Sequence, residues 1–261
     1  MFSVINGSRV AVEGICDHPD IKAVAFVGSS NVAKIVYSRS TALGKRALCL
    51  GGAKNHMIVV PDADQDSTAK GLLASSMGSA GQRCMAASVA IGVADIDHII
   101  DQLVEEAKAF ELGVDMGTII SKTALDRITN YIDEAEKMGA RVLIDGRNKT
   151  PPSGYENGYW LGVTILDGVD PNWPCAKEEI FGPVLSIIRS DTLENAMKIE
   201  NKNHYGNAAA VFTTSGEVAK MISESASAGM VGINIGVPVP REPYSLDRKS
   251  TRLNSSHALI S

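Results

Sequence analysis

Short apolar, β-branched runs alternate with longer amphipathic stretches along most of the chain, and this alternation constrains the fold more than any other feature. The strand-like runs are residues 21–27, 57–60, 89–93, 140–144, 184–188, 208–212 and 231–235. The helix-like stretches are residues 31–42, 67–78, 97–110, 124–138, 193–201 and 217–225. Such alternation is typical of an α/β fold with a mainly parallel sheet covered by helices. Residues 21–27 have the composition of a buried strand.

Composition limits the classes of function. The chain has 261 residues, 44% of them hydrophobic, which is enough apolar material for one large domain or two small ones. A formal net charge of -5 with scattered basic residues gives no reason to expect a nucleic-acid partner. No apolar run approaches the roughly 20 residues of a membrane helix, so no membrane association is predicted. The four cysteines form no CxxC pair and have no zinc-like spacing with histidine, so no metal site is predicted.

Residues 78–86 (GSAGQRCMA) contain the best candidate for a nucleophile, Cys84. Small residues let the backbone approach a substrate closely, and Arg83 puts a fixed positive charge beside the thiol. Taken alone, a single cysteine is more often a small buried apolar residue. A Cys/His hydrolase has no positive support, because no histidine neighbours Cys84 in sequence.

Four segments together resemble the aldehyde dehydrogenase superfamily. The GQxC context of Cys84 is joined by FVGS at residues 26–29, LGG at residues 50–52 and EEIFGPV at residues 178–184, in the family's order and spacing. The resemblance runs from residue 1 to residue 245. It implies the aldehyde dehydrogenase fold, an aldehyde substrate, and Cys84 as the catalytic nucleophile that forms a thioester.

The same resemblance implies a set of residues that bind NAD. Gly28 and Ser29 are expected near the pyrophosphate, where a helix N-terminus suits phosphate. Glu179 is expected to bind the nicotinamide ribose, and Phe181 to pack near the ring. Gly28, Glu179 and Phe181 also have structural interpretations, as a turn glycine, a surface acid and a core aromatic.

Three segments resemble the branch that oxidises methylmalonate and malonate semialdehydes and transfers the acyl group to coenzyme A: CDHPDIKA at residues 16–23, GAKNH at residues 52–56 and GQRCMA at residues 81–86. The substrate carboxylate suggests Arg83 as its partner. Hydrolytic family members carry a glutamate at the position that we align with Cys49, and the absence of that glutamate favours acyl transfer over hydrolysis. Cys49 itself is interpreted as a buried strand residue without a catalytic role. A general aldehyde dehydrogenase that releases a free acid and an inactive fragment are the alternatives.

The family's organisation suggests three parts of the chain. Residues 1–50 are expected to be the C-terminal part of a Rossmann-like NAD-binding domain, and residues 51–246 the α/β catalytic domain. Residues 247–261 are expected to be a non-native or disordered tail, because the resemblance stops there. The resemblance implies a homo-oligomer when full length, located in the cytoplasm or, in a eukaryote, in the mitochondrial matrix. We expect the 261-residue chain to be inactive alone.

Overall fold

The computed structural model, which describes residues 2–236, has the strand and helix alternation that the sequence predicts, and the α/β fold is confirmed. The helices are α1 (Arg9–Asp17), α2 (Ser30–Ala42), α3 (Gln65–Met77), α4 (Asp97–Lys108), α5 (Lys122–Met138), α6 (Pro174–Lys177), α7 (Leu193–Asn201) and α8 (Gly216–Ser225). The strands are β1 (Ala23–Val27), β2 (Arg46–Leu50), β3 (Asn55–Val59), β4 (Ala87–Val93), β5 (Arg141–Ile144), β6 (Thr164–Asp167), β7 (Val184–Ser190), β8 (Ala208–Phe212) and β9 (Met230–Ile233). The chain divides into two units between Gly52 and Ala53.

The first unit is a βαβ element preceded by a helix. Strands β1 and β2 pair in parallel, and α2 connects them. Its small core consists of Cys16, Val24, Ala33, Val36 and Cys49. A strand forms within residues 21–27 as expected, but the prediction that it is buried is wrong. Only Val24 of β1 is buried, and Val27 is 65% exposed. Since β2 is the one partner of β1 among the described residues, little apolar surface covers this strand.

The second unit contains a seven-stranded sheet with the strand order β5-β6-β7-β4-β3-β8-β9. All neighbouring pairs are parallel except β5 and β6. Every residue of β3, β6 and β8 is buried, as expected for strands covered on both faces. The main core of the unit is formed by these strands and the apolar sides of the helices.

Polar caps set the helix boundaries in the second unit. The side chain of Asp64 accepts a hydrogen bond from the Ser67 N–H and begins α3. Ser121 caps α5 in the same way, and Gly139 ends that helix in the left-handed conformation at φ 109°. These local signals place α3 and α5 close to where the sequence predicts them.

Three regular elements were not expected from the sequence, namely α1, α6 and β6, and β2 was expected only through the interpretation of Cys49 as a strand residue. Strand β6 has only four residues and follows the Pro- and Gly-rich loop at residues 150–160, so it offers too short a pattern. The predicted tail at residues 247–261 lies outside the described residues. In the described part of the chain, no helix is long and apolar enough to cross a membrane.

Candidate active site

Cys84 lies in a tight turn between α3 and β4. Helix α3 ends at Met77, and the next residues pass through three left-handed conformations at Ser79, Ala80 and Gly81 (φ 56°, 53° and 67°). Two of these three residues have a side chain, so the bend is strained. The turn closes with a hydrogen bond from the Ala86 N–H to the Arg83 carbonyl oxygen at 3.0 Å.

Gly81 brings this turn against the EEIFGPV segment. A Cβ atom at Gly81 would lie 2.0 Å from the carbonyl oxygen of Gly182, so the two backbones are in direct contact. A glycine is required here both for its positive φ and for this approach. The two motifs, about 100 residues apart in the sequence, therefore meet at one place in the second unit.

Two asparagine side chains hold the backbone of Cys84. The Nδ2 atoms of Asn55 and Asn207 donate to the Cys84 carbonyl oxygen at 3.0 and 2.9 Å. Asn55 also donates to the Ala86 carbonyl oxygen at 2.9 Å and accepts from the Ala208 N–H at 3.1 Å. A register shift between Asn55 and His56 in the β3–β4 pairing accompanies these bonds. The turn is thus fixed to the first residues of β3 and β8.

The side chains of Gln82 and Arg83 hold the turn from outside. The Gln82 amide donates to the Thr118 carbonyl oxygen at 3.1 Å and accepts from the Ile120 N–H at 2.9 Å. The Nη2 atom of Arg83 donates to the Ala74 and Ser75 carbonyl oxygens, at 2.9 and 3.1 Å, at the C-terminal end of α3. A cation is favourable at that end of a helix, so Arg83 has a structural role independent of any substrate.

Cys84 is the accessible cysteine. Cys16, Cys49 and Cys175 are buried, and Cys84 is half-buried. Within residues 2–236 the backbone N–H of Cys84 makes no hydrogen bond. This turn therefore offers a reachable sulfur with an uncommitted donor from the same residue.

Glu179 and Phe181 lie on the segment that contacts this turn. The Oε1 atom of Glu179 accepts a hydrogen bond from the Ala53 N–H at 2.9 Å, which fixes the position of the carboxylate. Phe181 has φ 57° and is 38% exposed, so it is not the core aromatic of the structural interpretation. A large side chain in a left-handed conformation is uncommon and is found mainly at functional sites.

Lys54 and His56 put two titratable groups inside the second unit. Lys54 is 1% exposed, and its Nζ atom has no hydrogen-bond partner among the described residues. Burial lowers the pKa of Lys54 to about 8, against the opposing influence of Cys175, Glu179 and Glu178. Burial, with the charge of Lys54, lowers the pKa of His56 to about 3. His56 is therefore neutral at physiological pH.

Gly28 and Ser29 belong to the first unit and lie between β1 and α2. The Gly28 N–H donates to the Leu50 carbonyl oxygen at 3.1 Å, and a Cβ atom there would meet the Phe26 ring at 2.6 Å. Ser29 is the N-cap residue of α2, but its hydroxyl makes no capping hydrogen bond. The first backbone N–H groups of α2 are thus left without a side-chain partner.

Cys49 is an apolar core residue of the first unit. It is 6% exposed, and burial raises the pKa of its thiol. This environment agrees with the interpretation of Cys49 as a buried strand residue. Among residues 2–236, no group of His, Cys, Asp and Glu side chains could hold a metal ion.

The sequence predicted no role for Asn55, Asn207 or Lys54. A signal was present, because Lys54-Asn55-His56 and Asn207 are polar residues immediately before apolar strands. Their partner Cys84 lies 29 residues from Asn55 and 123 residues from Asn207. Only the tertiary fold brings these residues together.

Known proteins similar to this chain form a consistent group. The model of the "Aldehyde dehydrogenase family" matches residues 1–245. The malonate-semialdehyde dehydrogenase of Pseudomonas aeruginosa is 42% identical over 248 residues, which are 92% of this chain and 50% of that protein. The mitochondrial acylating methylmalonate-semialdehyde/malonate-semialdehyde dehydrogenase of Bos taurus is 45% identical over 240 residues, 90% of this chain and 44% of that protein.

Solved structures give the same result. A Sinorhizobium meliloti 1021 protein, assigned as a methylmalonate-semialdehyde dehydrogenase and complexed with NAD, has a TM-score of 0.91 and 42% identity over 95% of this chain and 52% of that chain. The methylmalonate-semialdehyde dehydrogenase of Oceanimonas doudoroffii has a TM-score of 0.90 and 40% identity, and the match covers 94% of this chain and 51% of that chain. The chain spans about half the length of the curated relatives it matches.

Proposed function

Because this chain belongs to the aldehyde dehydrogenase family, we propose that its protein oxidises methylmalonate or malonate semialdehyde with NAD and transfers the acyl group to coenzyme A. The observation that carries the proposal is the half-buried Cys84 in a turn held by two asparagine amides. The names of the relatives point to the same substrates. The first unit is proposed as the end of the NAD-binding domain and the second as the catalytic domain.

Cys84 supplies the nucleophile. Its sulfur adds to the aldehyde carbon, and the negative charge moves to the carbonyl oxygen of the resulting thiohemiacetal. The uncommitted Cys84 N–H can donate to that oxygen. The bonds from Asn55 and Asn207 fix the peptide that carries both groups, so neither has to reorganise during the reaction.

The residues present fit NAD. Within the first unit, the N-terminus of α2, with no side-chain cap from Ser29, has the chemistry that suits a pyrophosphate. Within the second unit, the Glu179 carboxylate, positioned by the Ala53 N–H, has the chemistry that suits ribose hydroxyls. Phe181, exposed on the same segment, is proposed to pack near the nicotinamide ring. A bound NAD would supply the hydride acceptor that conversion of the thiohemiacetal into a thioester on Cys84 requires.

Arg83 is proposed to bind the carboxylate of the semialdehyde. Its Nη2 atom is used by α3, but its Nε and Nη1 donors make no hydrogen bond among the described residues. A guanidinium can thus hold the helix end and a carboxylate at once. Because the hydrogen bonds to α3 already restrain the Arg83 side chain, this side chain loses less conformational entropy when the substrate binds.

Coenzyme A is proposed as the acyl acceptor. Cys49 lies in an apolar core and cannot activate water as a glutamate would. The thiol of coenzyme A would attack the thioester and release the Cys84 sulfur. We also propose a homo-oligomer, located in the cytoplasm or, in a eukaryote, in the mitochondrial matrix.

The proposal is tested on a complete enzyme that carries these residues, by steady-state NADH formation from malonate semialdehyde with and without coenzyme A. We expect a burst of NADH without coenzyme A, followed by a slow phase, and sustained turnover with acyl-CoA formation when it is added. The control variant Cys84→Ala should abolish the burst. Equal steady rates with and without coenzyme A, together with release of free acid, would support a hydrolytic aldehyde dehydrogenase instead.

A further inference from the structure

A cavity in the second unit lies beside His56, and its lining does not include Cys84, Arg83, Glu179 or Phe181. Its volume is about 130 Å³, which is room for a group larger than a single water molecule. Its polar lining comes from the start of β3, from α6 and the loop before it, and from the residues that follow α7: His56, Asn172, Lys177, Lys202, Asn203 and His204. Ile188 and Ile199 contribute apolar walls.

His56 is the buried polar group of this cavity. The residue is 5% exposed, and its Nδ1 atom has no hydrogen-bond partner among the described residues. A buried imidazole nitrogen without a partner is costly unless a ligand or an ordered water satisfies it. Because burial lowers the pKa of His56 to about 3, the ring is neutral and has one N–H to donate.

The remaining polar groups give the cavity a positive charge. Lys177 and Lys202 line it, and neither forms a salt bridge within residues 2–236. The lining contains no carboxylate. The amide of Asn203 is already occupied, since it donates to the Lys54 carbonyl oxygen at 2.6 Å and accepts from the Tyr205 N–H at 3.1 Å.

We infer that this cavity binds a small oxyanion, such as phosphate or a short carboxylate. Two ammonium groups and the Asn172 amide, all on exposed residues, provide donors, the His56 ring forms the buried part of the lining, and no lining acid opposes the charge. A cation would meet two lysines, and an apolar ligand would leave these donors unpaired. The site needs neither aldehyde nor NAD, so it stands or falls independently of the proposed reaction.

The first test is calorimetric titration of the purified protein with inorganic phosphate at constant ionic strength, repeated with acetate. We expect saturable binding of at least one of the two anions. The double variant Lys177→Met/Lys202→Met should bind about tenfold more weakly or not at all. Lys198→Met removes an exposed lysine of α7 outside the cavity and should bind as the wild type does.

A second measurement locates the anion. Crystals soaked in selenate should show an anomalous peak inside the cavity, next to the side chains of Lys177 and Lys202. Either phosphate or acetate binding that depends on Lys177 and Lys202 supports the site and identifies its preferred anion. No saturable binding of either anion, equal binding by the double variant, or a selenate peak only outside the cavity would overturn the inference.

Discussion

The carbonyl oxygen of Cys84 is held by two side-chain amides, and replacing Asn55 by alanine measures the stronger of these anchors. Asn55 is 1% exposed and makes three hydrogen bonds, to the Cys84 and Ala86 carbonyl oxygens and from the Ala208 N–H. A buried hydrogen bond contributes about 1 kcal/mol net, so Asn55→Ala should lower the free energy of unfolding by about 3 kcal/mol. Backbone groups left unpaired would add to this loss.

Asn207 provides a matched comparison. Its Nδ2 atom donates to the same Cys84 carbonyl oxygen and contacts the Met85 sulfur, but its Oδ1 atom is buried without a partner among the described residues. Alanine at this position removes a favourable bond and an unpaired oxygen together. The two effects oppose each other, so we expect Asn207→Ala to cost about 1 kcal/mol or less.

Urea unfolding followed by tryptophan fluorescence measures these differences, because both tryptophans, Trp160 and Trp173, lie in the second unit. Asn195→Ala, at an exposed position on α7, is the control and should change stability by less than about 0.5 kcal/mol. A loss for Asn207→Ala equal to or larger than that for Asn55→Ala would refute this account of the anchor.

Four further predictions follow from the same structure. Gly81→Ala should destabilise the protein by several kcal/mol in thermal unfolding, because its Cβ atom would collide with Gly182; an unchanged Tm would contradict the backbone contact. Cys49→Glu should destabilise the protein without restoring hydrolysis, because it buries a carboxylate; a stable variant that hydrolyses the thioester would show that this position faces the substrate. The pKa of Lys54 is about 8 in the folded chain and 10.5 ordinarily, so between these two pH values the unfolded chain binds more protons than the folded one. The free energy of unfolding should therefore rise by about 3 kcal/mol as the pH rises through this range. Lys54→Met should flatten the rise, and a variant with the same pH profile as the wild type would contradict the prediction. Arg83→Leu should lower kcat/KM at least about tenfold more for carboxylated than for neutral aldehydes, whereas equal losses would leave only its role at α3.

Local patterns predicted most of the fold. The predicted bounds of α7 and β8 agree with the structure, because each has a clear period and a polar boundary. Helix α1 has a strong amphipathic pattern and was nevertheless missed, and the burial of β1 was predicted wrongly. Burial of a strand depends on which elements cover it, and that information is not contained in the strand's own sequence.

In the candidate site, too, the local features could be predicted from the sequence and the tertiary contacts could not. The position of Cys84 after a helix and a glycine-containing turn was visible in residues 78–86. The contact of Gly81 with Gly182 and the two asparagine anchors were not, because they join segments far apart in the sequence. The link from Arg83 to α3 is local, yet it depends on the bend through Ser79 and Ala80, which the sequence did not predict.

Locating the acylated residue tests the central claim most directly. A complete enzyme that carries these residues would be incubated with malonate semialdehyde and NAD without coenzyme A, quenched in acid, digested and analysed by mass spectrometry. The account predicts one acyl adduct, on the peptide containing Cys84, which disappears when coenzyme A is added before the quench. An adduct on Cys16, Cys49 or Cys175, with full activity in Cys84→Ala, would contradict it.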